Sequence, residues 1–470
     1  MKHSQDKDHF RDSIGTINEE GKRQFIHPLK PKGKLYEWRK IVSYALIGFL
    51  FLGPWIRLNN HPLFLFNLIE RKFILFGSVF WPQDFHLFFL AMICLVLFVT
   101  LFTVIYGRIW CGWICPQTIF LEMIFRRIEY IIDGDKGQQI KLDKQKWNLN
   151  KIYKRLLKGG IFYLISFFIA NTFLSYIIGT EQLISIITSP PSKHWNGLIL
   201  LLIFTTVFYF VFAWFREQAC IVVCPYGRLQ GVLLDENSIQ VSYDYVRGEN
   251  RGKFRKNENR EDENKGDCID CSLCVAVCPT GIDIRNGSQM ECVNCTACID
   301  ACDTIMDRVE LPQGLIRFAS ENAITKGEQF KFDARMKSYT AVLVGLLLIL
   351  TGLLLTRSSI DTSLLRVPGR LYNQHEQGRV SNLYNYKLLN KSQDTVPIVF
   401  KLLSHPGEIS IVGNAAINLY PEKSSNGTLF IYIKESELNS IKTKIKVGVF
   451  QNGKLLNKVK TTFNGPIKQQ

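Results

Sequence analysis

The chain has 470 residues, is 47% apolar and carries a formal net charge of +16. That length exceeds one small domain. The distribution excludes an ordinary soluble protein: apolar residues come in blocks of about twenty, with basic residues between them, as in membrane proteins. Nucleic-acid binding would gather basic and aromatic side chains on one folded surface. Here Lys and Arg flank the apolar blocks, so no nucleic-acid partner is expected and lipid is.

Five stretches read as membrane spans: Ile41 to Trp55, His86 to Tyr106, Gly159 to Ile178, Gly197 to Phe215 and Tyr339 to Thr356. The first lies too far from the N-terminus to be a cleaved signal peptide. A further apolar patch, Leu63 to Trp81, is split by Glu70, Arg71 and Lys72. Charge at its centre is costly in lipid, so an interfacial segment or a hairpin is expected. Basic residues set orientation. Residues 1–40 hold ten Lys or Arg and residues 107–158 hold eleven, whereas the segment between spans three and four holds only Lys193. The reading is a cytoplasmic segment (1–40), a membrane region (41–215), a cytoplasmic region (216–338), a last span (339–356) and an outer domain (361–470).

Of thirteen cysteines, twelve fall in four tight motifs, and only Cys94 stands alone, as a small packing residue in mid-span. Such spacings point to metal ligation rather than a disulfide scaffold. Residues 268–278 read CIDCSLCVAVC and residues 292–302 read CVNCTACIDAC. Each is the C-x2-C-x2-C-x3-C run of bacterial ferredoxins, in which the fourth cysteine of one run ligates the other run's cluster. A ferredoxin domain with two [4Fe–4S] clusters is expected at about 260–310. Cys268, Cys271, Cys274 and Cys302 would hold one cluster; Cys278, Cys292, Cys295 and Cys298 would hold the other. Zinc knuckles also use paired C-x2-C units, but two complete cubane runs favour iron. Pro279 follows the first run, whereas Asp303 follows the second. That departure predicts a small change of geometry. No G-x-G-x-x-G or P-loop occurs, so no bound flavin or NAD is expected.

CGWICP (111–116) and CIVVCP (220–225) each end a span and open an apolar, helix-like run. Proline favours the first helical position, which places Cys115 and Cys224 at helix N-termini. The helix dipole and nearby Arg108, Arg216 and Arg228 should then lower the thiol pKa values. Spans two and four run in the same direction. Cys111, Cys115, Cys220 and Cys224 therefore reach one depth and could converge on copper, a further cluster or a disulfide. Glu122 and Glu217 are expected to pair with Arg127 or Arg216. His61, His86 and His194 fall on the outer side as a weak alternative metal or quinone site.

From Asp361 the pattern turns to short β-branched and aromatic segments, with Asn452-Gly453 as a hairpin turn. A small β-sandwich is expected, serving as an outer binding module.

RIWCGWICPQTIFLE, REQACIVVCPYGRLQ, GDCIDCSLCVAVCPTGIDIRNG, ECVNCTACIDACD, GLIRF, FWPQDFH and SNLYNYKLLNK resemble the CcoG/FixG/RdxA family of bacterial cytochrome oxidase accessory proteins. The resemblance implies a multi-pass protein of the bacterial inner membrane with a periplasmic immunoglobulin-like tail. It implies reduction of Cu(II) to Cu(I) during assembly of cbb3-type oxidase. Its partners would be oxidase subunits or copper-delivery proteins and a cytoplasmic electron donor. A quinol-linked membrane dehydrogenase and a non-catalytic, redox-sensing assembly scaffold are the alternatives.

Overall fold

In lipid a backbone must satisfy its own hydrogen bonds, so long apolar runs become helices. The computed structural model describes residues 16, 22–58, 61–67, 72–256, 260, 262–369, 371–376, 378–392, 394–413, 417–421, 423–438 and 440–466. Among these, four helices are long and apolar enough to cross a membrane: Phe85–Tyr106, Leu149–Ile178, Trp195–Phe215 and Ala334–Leu355. Four of the five expected spans coincide with them, the last expected span ending one residue past its helix at Thr356. The second begins at Leu149 rather than Gly159 because Asn148 caps it, its side chain accepting from the Lys151 amide at 2.8 Å.

The first expected span falls in the Lys34–Leu52 helix, which lacks the apolar character of the other four. Its opening turns carry Lys34, Glu37, Arg39 and Lys40. The Asp300 carboxylate accepts from the Leu35 and Tyr36 amides at 3.1 and 2.7 Å. At the other end, the Tyr176 hydroxyl donates to the Leu50 carbonyl at 2.8 Å. The helix thus runs from the ferredoxin region to the far end of Leu149–Ile178.

The Leu63–Trp81 patch is a three-stranded antiparallel sheet of Phe64–Asn67, Lys72–Leu75 and Ser78–Phe80. Leu65, Ile74 and Val79 form its core against Trp81. Glu70 and Arg71 lie outside the described residues.

The chain divides into two compact units, Met1–Leu348 and Ile349–Gln470. The second is a β-sandwich. One sheet has the order Gly407–Ile411, Ser424–Lys434, Arg379–Asn390, Ile360–Arg366, with Asn373–His375 also paired to Arg379–Asn390. The other has the order Ile417–Leu419, Val396–Leu402, Lys442–Gln451, Lys454–Asn464. Alternating side chains meet between the sheets, Leu429, Ile431 and Ile433 from one and Ile445, Val447 and Val449 from the other. Asn452 and Gly453, at φ 45° and 84°, make the hairpin turn.

Within the first unit, charge is buried beside the thiol motifs. The run after Cys115 continues as helix from Pro116 to Ile132, with a π-helical turn at Leu121–Phe125. Its apolar side packs Phe125 on Phe212, rings stacked at 4.6 Å, and edge-on to Phe162. Its polar side carries Glu122, Arg126 and Glu129, all buried. Arg126 pairs with Glu122 and Glu217 and donates to the Pro279 carbonyl at 2.8 Å. Arg216 pairs with Glu129 at 2.5 Å, and Lys158 with Glu129 and Asp133. Glu122 and Glu217 therefore share Arg126, and Glu217 also pairs with Arg23 at 3.5 Å, rather than either meeting Arg127 or Arg216 as expected. Arg127 instead donates to the Tyr44 and Tyr36 hydroxyls.

Removing one partner of a buried pair costs about 3–5 kcal/mol, because the other charge is left uncompensated. Arg126→Met is accordingly expected to lower the thermal unfolding midpoint in detergent sharply. Adding Glu122→Gln should recover part of the loss, and thermal unfolding of both variants measures it.

Candidate metal centres

The two ferredoxin runs fold alike. Asp270 and Ser272 flank Cys271 with φ of 55° and 53°; Asn294 and Thr296 flank Cys295 with 51° and 66°. Left-handed residues alternating with right-handed ones turn backbone amides inward, making the concavities that hold anions and iron–sulfur groups. None of the four is glycine; Asp270 and Asn294 are types that tolerate this region, whereas Ser272 and Thr296 each cost about 1–2 kcal/mol there. Strain of this kind is kept at functional sites.

Cys268, Cys271, Cys274 and Cys302 line one cavity, together with Tyr243, Arg285 and Met306. Cys278, Cys292, Cys295 and Cys298 line a second, which Cys274 also borders. The runs exchange their fourth cysteines between the cavities. Four thiols wrapped by inward-turned amides fit a [4Fe–4S] group. Among the described residues no three Cys, His, Asp or Glu close on a single ion. Burial pushes the thiols of Cys274, Cys292 and Cys302 up to about 12 and that of Cys295 up to about 11. A bound metal takes the place of those protons.

The fourth cysteines differ in setting. Pro279 ends the first run's short helix, Leu273–Ala276, and Cys278 sits in the turn beyond it. Asp303 imposes no such stop. The helix Ala297–Arg308 runs straight through Cys302, so this cysteine is mid-helix rather than at a helix start. The Asp303 carboxylate accepts from the Gly314 amide at 2.9 Å.

The C-x3-C-P motifs also fold alike. Gly107 and Arg216 end their spans at φ 55° and 52°, each four positions before the first cysteine of its motif. Cys115 and Cys224 are extended N-cap residues, with Pro116 and Pro225 opening the helices. The positive φ of a non-glycine Arg216 is held by the ion pair with Glu129.

The two motifs lie in one neighbourhood, though among the described residues no three of their thiols close on a single ion. Cys220 lies within electrostatic reach of Cys111, Cys115 and Cys224, and the Thr118 hydroxyl lies beside both Cys115 and Cys220. Gln230 links the site to Arg108: its Oε1 accepts from Arg108 Nε at 2.6 Å and from Cys111 Sγ at 3.4 Å. A Cβ at Gly227 would lie 2.7 Å from the Cys220 carbonyl, so glycine permits the close approach of the second motif's own turn.

The expected low thiol pKa values are not found. Burial pushes Cys111 and Cys115 up, and Cys220 up to about 12. Arg108 and the helix amides of Gln117 and Thr118 act in the expected direction but are outweighed. Arg216 is committed to Glu129, and Arg228 is exposed.

The thiol quartet abuts the second cavity. Cys111 shares a buried cluster with Val293 and Cys295. Gly112 meets the Val293 carbonyl so closely that a Cβ there would collide with it. Arg39 Nε donates to the Gly112 carbonyl at 2.8 Å on the same seam. The order is therefore first cavity, second cavity, thiol quartet.

Residues 215–321 match the family model described as a 4Fe-4S dicluster domain, and residues 86–135 one described as a 4Fe-4S binding domain. Residues 350–466 match the IG-like fold at the C-terminus of FixG. Protein RdxA of Cereibacter sphaeroides is 32% identical over 424 residues, 87% of this chain and 88% of its own length. This chain belongs to the FixG/RdxA family. Protein RdxB of the same organism is 32% identical over 428 residues, covering 88% and 89% of the two chains. Nitrogen fixation protein FixG of Rhizobium meliloti is 37% identical over 309 residues, 64% of this chain and 58% of that one. As a FixG/RdxA member, the chain is an iron–sulfur electron-transfer protein with membrane helices.

His61, His86 and His194 are not among the residues lining the sites above. Arg39, Thr118 and Gln230 escaped the sequence reading. The signal was present for Glu122, Arg126 and Glu129: charges recurring at helical spacing in an apolar run mark one polar face.

Cys268→Ser and Cys292→Ser are each expected to lose one cavity's iron, ~4 atoms per chain, and to keep the other's. Cys94→Ser should lose none. Iron assayed against protein tests this; total loss in both ligand variants would mean that the cavities do not load independently.

Proposed function

We propose that the chain carries single electrons from the cytoplasmic side to the membrane-edge thiols and there reduces Cu(II) to Cu(I). The observation that carries this reading is the packing of Cys111 and Gly112 onto Val293 and Cys295 of the second cysteine-lined cavity, with Cys115 and Cys220 beside Cys111 and Cys224 beside Cys115 and Cys220. The proposed ligand sets are Cys268, Cys271, Cys274 and Cys302 for the first [4Fe–4S] cluster, and Cys278, Cys292, Cys295 and Cys298 for the second. When bound, these groups supply one-electron redox chemistry.

The chain's residues do the rest. The Gly112–Val293 contact keeps the thiols against the second ligand set. Gln230 and Thr118 orient Cys111, Cys115 and Cys220. Thiolates favour Cu(I) over Cu(II), so the donor set itself assists the step Cu(II) + e⁻ → Cu(I). The resemblance to cbb3-oxidase accessory proteins implies that the copper is cargo to be passed on.

The basic flanks support a topology with both thiol motifs and the ferredoxin region inside. Lys34–Leu52 then crosses as a fifth span, and the sandwich lies outside.

A second reading is favoured by the match of residues 86–135 to a 4Fe-4S binding domain, which includes Cys111 and Cys115. There the quartet holds a third resident cluster and the terminal acceptor lies elsewhere.

Anaerobic stopped-flow mixing of the reduced protein with Cu(II) tests the proposal. Rapid recovery of the oxidised iron–sulfur absorbance, slowed at least tenfold when all four cysteines are Ser, is expected. An unchanged rate in the four-Ser variant would remove copper from this site. Iron at ~12 rather than ~8 atoms per chain would favour the third cluster.

A further inference from the structure

Arg39 and Arg108 are 1% and 4% exposed, yet neither has a carboxylate partner among the described residues. Arg39 makes one bond, to the Gly112 carbonyl, and its Nη2 has no partner. Arg108 bonds Gln230, and its Nη1 has no partner. A buried guanidinium without an anion is strongly unfavourable. The anions within reach are cysteine thiolates. Arg39 lies near Cys295; Arg108 lies near Cys292 and Cys111. The Gln230 and Asn294 side-chain amides on the same seam are also buried, with unpartnered N–H groups.

The first cavity is built the other way. Its one lining cation, Arg285, is tied to Asp270 at 2.5 Å and Asp283 at 2.7 Å. Asp283 faces Cys274 and Asp303 faces Cys302. Arg260 is also buried without a carboxylate partner among the described residues; it donates to the carbonyls of Gly252, Gly266 and Cys268, and its Nη1 has no partner, so one such cation lies beside the first set too. At the second cavity Glu122, which acts on Cys295, is paired with Arg126, and Asp300 is held by the Leu35 and Tyr36 amides. Two cations without carboxylates thus sit beside the second ligand set, whereas beside the first Arg260 and Arg285 are set against the three carboxylates of Asp270, Asp283 and Asp303.

We propose that Arg39 and Arg108 hold the centre in the second cavity at a higher reduction potential than that in the first, so that an electron rests beside the thiol quartet. Reduction adds one negative charge to a centre, and a nearby buried cation stabilises that state. Water at exposed Cys271 stabilises the reduced first centre, acting against the difference, but it reaches only that edge of the site. The ordering deepens the proposed function by giving the path a direction, and its test involves no copper.

The experiment is an EPR-monitored redox titration of the holoprotein. The wild type should show two separated one-electron couples. Arg39→Gln and Arg108→Gln should each lower the higher couple, shifting its reduced-to-oxidised ratio at fixed potential about tenfold, or ~59 mV. The lower couple should stay put, and Arg108→Lys should restore most of the shift. Asp303→Asn keeps the acceptor for the Gly314 amide and removes the charge. It should raise the lower couple and narrow the gap. Full iron content qualifies each variant. Should an arginine variant fail to load, the Asp303→Asn shift still decides the sign. An unmoved higher couple in iron-replete arginine variants, or a lower couple unmoved or lowered by Asp303→Asn, overturns the proposal. If the couples order as stated but Cu(II) reacts equally with the four-Ser protein, only the copper reading fails.

Discussion

The buried guanidinium of Arg126 joins three parts of the first unit that are distant in sequence. It meets Glu122 on its own helix, Glu217 at the end of the Trp195–Phe215 span, and the carbonyl of Pro279, next to Cys278. One side chain thus sets the first thiol helix, the approach to the second thiol motif and the ferredoxin run relative to one another. A neutral side chain could fill the same space, but it would leave Glu122 buried without its counter-ion and Glu217 with only Arg23, at 3.5 Å. That asymmetry favours the geometry that brings all three segments together.

The same constraint explains why the surrounding charges come in balanced sets. Arg216 answers Glu129, and Lys158 answers Glu129 and Asp133. Low dielectric strengthens both the pairing and the penalty for any misfit. Arg216 accepts a left-handed backbone to take part, where the first half of the molecule uses Gly107. The two thiol turns are otherwise built alike, so the quartet looks like two copies of one device facing each other. The ion pairs fix their spacing, and close packing at Gly112 and Gly227 fixes their contact with what lies next to them.

Periodic features of this architecture were legible in the sequence. Apolar runs of span length, the cubane spacings and the proline after each C-x3-C-P are local signals, and local chemistry reads them correctly. The Asn452-Gly453 hairpin and the alternating strands belong to the same class. The long-range pairings were not legible. Nothing in the chain says that Glu217 will choose Arg126 over its neighbour Arg216, because that choice depends on which helices pack together. The thiol pKa values were misjudged for a related reason. Helix termini and arginines are visible locally, but the burial that overrides them is a property of the assembled fold. Asp303 lay between these cases: the missing proline was seen, while its effect, a helix running through Cys302, depended on how far the helix could extend.

A conductor of single electrons has to hold its stations close and exclude water between them. In this chain the contact between Gly112 and Val293 does the first and the aliphatic cluster around Cys111 and Cys295 does the second. Both depend on main chain meeting main chain, without long side chains in between. That is why glycine appears at the contact and why the polar groups there, Arg39, Arg108, Gln230 and Asn294, lie around the seam rather than across it. Buried donors left without acceptors would weaken an ordinary core. Around thiolates they are the means by which a protein holds negative charge without a counter-ion of its own, and their concentration beside the second cysteine set gives the path its polarity.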